Sequence, residues 1–470
     1  MRFDNSNECM KSELDLFTVP PTQTSLENGV WRIKEAESGK NSDKSSITFK
    51  IPKQSNCYLD LAETFIHMKV TIQKKNTNGG VISTIADADV IGPVNNFLHS
   101  MFEQVEVKFN NITVENSNKY YAYKAYIEKV LSSDDTNINT TYPNELFYFD
   151  TSGMMESVAL KNDDDVYGYA GNDNLGGGTD SYKTTPVFKS KGTVKINDGF
   201  LKRRKRFLDS NGQVELCGKL HLNVASLNKY ILNETEVSIT LTRASPNFCM
   251  MGTIAGQEIQ VYIDTPYIRY RTVQFNPTVG IAHALALEKT NAKYQFRDVK
   301  MNSGSIKKGS QKLVLDNIHT GFIPNKIVIG LVDGGAYSGS SELNPFNFQH
   351  FNLSKILIKA GGVNIPYNED LDIDFAKKNY VLTYNTLFQG MDRPCINYDD
   401  YGSGYTLYSF NLTPDLCSIN HFNMQTIGDL QIGMEFSKKT DLETIEAIVY
   451  MEFDNIIEIS KQRVATIVAN

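Results

Sequence analysis

The sequence predicts an all-β chain folded as two tandem β-sandwiches. Three observations carry that prediction. Strand signals outnumber helix signals along the whole chain. Two distant segments repeat one pattern. And 470 residues are too many for one hydrophobic core, so two or three domains are expected.

The strands are read from period-2 alternation, β-branched and aromatic content, and Gly, Asn, Asp and Pro punctuation. In chain order they are SITFKI (46–51), FIHMKVTI (65–72), FEQVEVKF (102–109), EVSITLTR (236–243) and EIQVYI (258–263). YIRYRTVQF (267–275), NKIVIGLV (325–332), SKILIKA (354–360), GDLQIGMEF (428–436) and EAIVYMEF (446–453) follow. The clearest helix is 118–131, where Tyr120, Tyr123, Ile127, Val130 and Leu131 recur at helical spacing behind Asn118, the expected N-cap.

Residues 96–114 align without gaps on 347–365, 251 positions later. Asn96, Phe97, His99 and Lys108 match Asn347, Phe348, His350 and Lys359, and the apolar alternation keeps step. A second ungapped pair, 218–243 on 428–453, has an offset of 210. Together they predict a duplication whose first copy carries a surplus of 41 residues. Residues 132–200 are polar, Gly-rich and poor in core formers, so they are read as that insertion, a long loop. Its 160–182 stretch is expected to be exposed and mobile. The domains are then 1–245 and 246–470, joined near 245–257. Sandwiches of that size with about eight strands point to the jelly-roll kind. Periodicity alone does not separate a jelly roll from another sandwich.

Composition excludes several functions. Net charge is −7, so no global basic field recruits nucleic acid. No apolar run reaches the ~20 residues that span a bilayer. The N-terminal residues lack the apolar stretch of a signal peptide. The six cysteines, at 9, 57, 217, 249, 395 and 417, include no C-x-x-C pair and are expected as free thiols.

Motifs for catalysis and cofactors fail one by one. GSIKKGSQK (304–312) has P-loop glycine spacing, but Ser310 stands where the lysine belongs, so it reads as a Lys-rich turn. DDDVYG (163–168) resembles an EF-hand only at its opening and reads as an acidic loop. There is no G-x-S-x-G and no H-E-x-x-H. The seven histidines are scattered singly. His99 and His350 hold matched repeat positions, which favours a structural role at the start of a strand. No catalytic, cofactor-binding or metal-binding residue is assigned, and no cofactor is expected. One charged run stands out, Lys202, Arg203, Arg204, Lys205 and Arg206. It reads as a nuclear-import signal, a nucleic-acid contact or electrostatic docking run, or a solvated or acid-paired loop. Without a second basic stripe, specific nucleic-acid readout is not expected.

The chain resembles the double jelly-roll major capsid proteins of polinton (Maverick) and adintovirus-type elements, distant relatives of adenovirus hexon. The resemblance lies in LDLFTVPPTQTSLENGVW (14–31), YLDLAETFIHMKVTI (58–72), PVNNFLHSMFEQVEVKFNN (93–111) and KYYAYKAYIEKVL (119–131). It continues in GKLHLNVASLNKYIL (218–232), FIPNKIVIGLVDGGAYSGSSELNPFNFQHF (322–351) and SFNLTPDL (409–416), and is weakest over 132–200. It implies two tandem jelly rolls, a homotrimer presenting six rolls in a ring, and an icosahedral shell. Neighbouring capsomers and penton or minor capsid proteins would be its partners. The virion would be its destination, with the host nucleus or cytoplasm as the place of assembly. The rival is a tandem jelly-roll enzyme acting on glycans, like the peptide N-glycanases, which use acidic side chains in an interdomain cleft. A carbohydrate-binding module lacks support, since Trp31 is the single tryptophan.

Overall fold

The computed structural model describes residues 11–37, 46–76, 82–132, 135–160, 196–254, 256–369, 371–389, 394–416 and 421–468. Sixteen main strands form two sandwiches. The first eight are β1 (Leu26–Glu35), β2 (Ser46–Ile51), β3 (Cys57–Asn76), β4 (Phe102–Phe109), β5 (Ile112–Asn116), β6 (Gln213–Lys219), β7 (Val237–Arg243) and β8 (Gln257–Phe275). The second eight are β9 (Ala292–Lys307), β10 (Lys312–Phe322), β11 (Lys326–Asp333), β12 (Leu353–Ala360), β13 (Val363–Asn364), β14 (Leu407–Asn411), β15 (Ile427–Phe436) and β16 (Thr444–Ile459).

Every pairing between these strands is antiparallel, and the second set repeats the order of the first. One sheet of the first sandwich runs β1-β8-β3-β6, the other β2-β7-β4-β5. Adding eight to each number gives the second sandwich, β9-β16-β11-β14 and β10-β15-β12-β13. Two such eight-stranded sandwiches in tandem are a double jelly roll.

The first sequence repeat is real down to side-chain direction. β4 and β12 bury their first, fourth, sixth and eighth residues and share a bulge after the first. Each enters a hairpin with a two-residue loop whose residues both have positive φ, Asn110 and Asn111 in one copy, Gly361 and Gly362 in the other. Such hairpins favour left-handed turns, and Asn and Gly tolerate that conformation best.

The second repeat is out of step by one strand. Residues 218–243 end in β7, whereas 428–453 hold β15 and most of β16. The true counterpart of β7 is β15, because Arg243 faces Phe102 as Phe436 faces Leu353. All these segments share the same alternation, so period 2 does not fix which strand aligns with which. The domain boundary moves with it. The expected division at 245/246 falls one strand early, because β8 pairs with β3 and β1 and completes the first roll. The first roll ends at Phe275, helix Pro277–Leu287 connects, and the second begins at Ala292.

Helix α1 is Tyr121–Leu131, with ten of its eleven residues buried. Asn118 does not cap it. It sits at φ 47°, makes no side-chain capping bond, and opens a short 3-10 turn instead. The expected insertion does leave the first roll between β5 and β6, the connection that corresponds to β13–β14 in the second. Its described part is not all loop, since helices cover Asp135–Thr140 and Asp198–Asp209. The 161–195 core of that insertion, including the DDDVYG motif, lies outside the described residues. GSIKKGSQK forms the end of β9 and the turn to β10, with Gly309 at φ 79°.

Candidate functional site

Two regions concentrate chemistry or unsatisfied surface: the seam between the rolls and the apolar faces left open to solvent.

The seam is aromatic at its centre. Tyr126 of α1 stacks on Phe346 with ring centroids 4.4 Å apart, and Tyr123 packs on Tyr337, Phe346 and Phe348. Phe346 and Phe348 lie between β11 and β12, so one helix of the first roll is buried against a connection of the second.

The basic run occupies the next layer. It lies in helix α2 (Asp198–Asp209), whose N-terminus is capped by Asn197 Oδ1 accepting from the Phe200 amide. Phe200, Arg203, Arg204 and Phe207 form its buried stripe. Arg203 is fully buried. Its guanidinium donates to the Pro93 carbonyl at 3.0 Å, the Tyr148 carbonyl at 2.9 Å and Asp150 Oδ1 at 2.7 Å. Asp150 also accepts from Asn344 of the second roll, and its carbonyl accepts from Tyr405. Arg204 donates to the carbonyls of Ala86, Asp87 and Asp89, and burial lowers its pKa. Lys202 is half exposed and pairs with Asp198 at 2.6 Å. Lys205 and Arg206 are exposed. The run therefore splits into two structural arginines and three surface cations. Sequence reading saw only charge density, and the signal it passed over was Phe200 and Phe207 at helical spacing around the arginines.

A cleft of about 640 Å³ opens beside the seam, lined among others by Glu128, Lys129, Glu145, His221, Arg297 and Glu452. A glycan hydrolase would keep its acid here. Glu145 instead accepts from Lys129 and from His99 Nε2 at 3.1 Å. Burial pushes its pKa up, but Lys129 and His99 outweigh that and hold it at about 2. Glu128 is partly exposed; its desolvation is outweighed by Lys124 and His221, the latter at 2.6 Å, which hold it below the ordinary carboxylate range. A general acid needs a raised pKa, and Glu128 and Glu145 are both shifted the other way; the third glutamate of the cleft, Glu452, accepts from the Tyr450 hydroxyl at 2.9 Å. His99 is buried and held down at about 3 by desolvation and the Lys129 charge. Its matched partner, His350, accepts the Asn352 amide at 2.9 Å in the turn before β12. No group of three or more metal-ligating side chains occurs among the described residues. Cys57, Cys217, Cys249 and Cys395 are free thiols, and burial pushes Cys249 up to about 12.

The open faces are apolar. β1 is exposed along almost its whole length, including Val30, Trp31 and Ile33. The connecting helix, α3 (Pro277–Leu287), has a largely apolar sequence but buries only Leu287, with Ile281 64% and Leu285 59% exposed. Single exposed apolar residues are ordinary, whereas an apolar helix and an edge strand both left open to solvent are larger exposed apolar surface than scatter. No helix among the described residues is long and apolar enough to cross a membrane.

Comparison with known proteins places this architecture. No family model matches the chain. An uncharacterised protein of Caenorhabditis elegans is 23% identical over 460 residues, covering 95% of this chain and 98% of that one. The fold is shared with double jelly-roll major capsid proteins of virophages and giant viruses. A chain of the Sputnik virophage structure superposes with a TM-score of 0.62 at 11% identity, covering 99% of this chain and 93% of that one. The Faustovirus major capsid protein gives 0.55 at 10% identity, with 95% and 92% covered. The mavirus major capsid protein gives 0.51 at 11% identity, with 100% and 96% covered.

Proposed function

We propose that the chain is a structural major capsid protein of the polinton (Maverick) or adintovirus type, forming homotrimeric, pseudo-hexagonal capsomers of an icosahedral shell. The observation that carries this reading is the repeated strand order, whole-chain and matched end to end by capsid proteins. A full-length relative encoded by a nematode fits a genome-resident element of that kind. The physical requirements are also met. A tile must hold its two rolls at a fixed angle, and the seam of Tyr123, Tyr126, Phe346 and the buried Arg203–Asp150–Asn344 chain does so. A tile must also offer apolar flanks to its neighbours, as β1 and α3 do. Two rolls per chain do not close a ring, and three chains supply six positions. Penton or minor capsid proteins would fill the remaining places of the shell, the virion is its destination, and host nucleus or cytoplasm is where it assembles. No catalysis is assigned.

Light scattering should report three times the 52.8 kDa chain mass, and micrographs should show hexagonal tiles or shells with interfaces well over ~1,000 Å². A monodisperse monomer at micromolar concentration, above all one releasing sugars from a glycoprotein, overturns the reading in favour of the glycan hydrolase. The exposed cations Lys202, Lys205 and Arg206 would serve import or electrostatic docking. Neutralising these three should leave the fold intact and reduce nuclear accumulation or shell assembly. Unchanged localisation and assembly would make them a solvated helix face.

A further inference from the structure

Residues 11–25 precede β1 and are exposed at every position. Within six residues they display Leu14, Leu16, Phe17 and Val19, and Phe17 is 96% exposed. Glu13 and Asp15 alternate with them. So dense an apolar stretch is a patch rather than surface scatter. Behind it stands Pro20–Pro21, a stiff extended spacer. The root is fixed as well, since the Gln23 side chain accepts the Leu26 amide at 2.8 Å and donates to its carbonyl at 3.1 Å.

A groove of about 430 Å³ matches this arm in chemistry. Its floor includes Tyr58, Tyr230, Leu232, His283, Leu287 and Tyr294. Its lining also includes Lys229, which donates to the Lys293 carbonyl at 2.9 Å, and Lys293, which is 3.7 Å from Glu458, so an incoming carboxylate would compete with weak, exposed contacts. An acidic, apolar segment and an apolar groove with lysines in its lining are complementary in both respects. The groove lies beside the arm's own root. Tyr58 stacks at 4.2 Å on Phe275, which pairs with Leu26, and the Ser25 carbonyl accepts from Asn276 at the start of α3. From Ser25 to Phe17 an extended chain covers roughly 25 Å. Within one chain the arm is not seated in this groove, since residues 11–25 are all exposed, and a second copy offers the same groove.

We infer that Leu14–Val19 of one copy seats its apolar side chains in this groove of a second copy, with Glu13 and Asp15 against Lys229 and Lys293. The inference rests on the self-assembling reading above. It makes the arm a strap between subunits and covers the side of α3 that carries His283 and Leu287.

The test places photoreactive benzoylphenylalanine at position 17 in the full chain. Isotopically light and heavy protein are mixed, assembled and irradiated, and the peptides are sequenced by mass spectrometry. Cross-links of mixed label, from position 17 into 228–232 or 283–294, are expected. Adding Glu13→Lys and Asp15→Lys should cut their yield severalfold. Cross-links of single label only would assign the arm to its own groove and overturn the inference. So would links elsewhere on the partner, or capture by phosphatidylcholine vesicles added to the mixture. Light scattering on the same sample separates the two readings. A monomer sinks the capsid reading along with this one, whereas an intact oligomer carrying the wrong cross-links sinks only the strap.

Discussion

Replacing Arg203 by Met removes a cation from a run that looks, in sequence, like a surface feature. Structurally it strips the charge partner from Asp150, and both side chains are fully buried. Breaking such a pair by removing one member costs about 3–5 kcal/mol, because the remaining charge stays buried without compensation. The carbonyls of Pro93 and Tyr148 lose a donor in the same step. At about 2–4 °C per kcal/mol for units of this size, the melting temperature should fall by roughly 6–20 °C. Replacing Lys205 by Met, two positions along the same helix and exposed, should stay within about 0.5 kcal/mol of the parent. Differential scanning fluorimetry of the two variants, with Arg203→Met/Asp150→Asn as a third, gives the measurement. The double variant should recover much of the loss, since no charge is then left stranded. If Arg203→Met melted with the parent, or the double variant melted lower than the single one, the ion pair would not hold the seam and the argument from burial would be wrong.

Acid should weaken the fold before any carboxylate-rich surface titrates. Unfolded, His99 takes up its proton near 6.5, and folded it does so only near 3. Between those values the unfolded state binds the extra proton, so stability falls as pH falls, by about 1.4 kcal/mol per pH unit for this one group. Glu145, held at about 2, adds to the loss below its ordinary value of 4.5. Urea midpoints that stay level from pH 6.5 to 4.5 would contradict the burial of a neutral His99. Gly330→Ala should cost about 1–3 kcal/mol, because a Cβ there would meet Phe348 at 2.4 Å in the middle of β11; an unchanged melting temperature would show that Phe348 has room to move. Alkylation of denatured protein without reductant should modify all six cysteines, and two blocked thiols in fresh protein would reveal a disulfide.

Sequence reading found most of the strands with one buried face, and also NKIVIGLV and EAIVYMEF, whose β-branched runs are buried on both faces. SITFKI and FEQVEVKF match their structural strands end to end. Two of the strands it missed lack that contrast. β1 is exposed on both faces, so WRIK shows no core side to read. β14 buries all five residues, so it shows no polar side either. Two strands read separately, 258–263 and 267–275, are one, because a bulge after Asp264 with Thr265 at φ 43° breaks the alternation without ending the pairing.

The functional residues were legible to different degrees for the same reason. Tyr123 announced a buried helix face by spacing, while Tyr126 was not among the residues so read, and what that face meets, Phe346 and Phe348, lies more than two hundred residues away. Asp150 gave no signal, because a lone aspartate becomes structural only when a distant arginine reaches it. Arg203 and Lys205 differ by charge type and by two positions on a helix, about 200° of rotation. That rotation decides that one cation pins two jelly rolls together and the other faces water. A charge run therefore carries two messages once it is helical, and the apolar residues around it, here Phe200 and Phe207, tell which cations belong to the core. The same logic runs in reverse on the outer surface. Leu16, Phe17, Ile281 and Leu285 have core chemistry without a core, and the fold of the single chain offers them none. The proposed assembly would supply that counterpart, so the surface pattern that defeats secondary-structure reading is the one that motivates it.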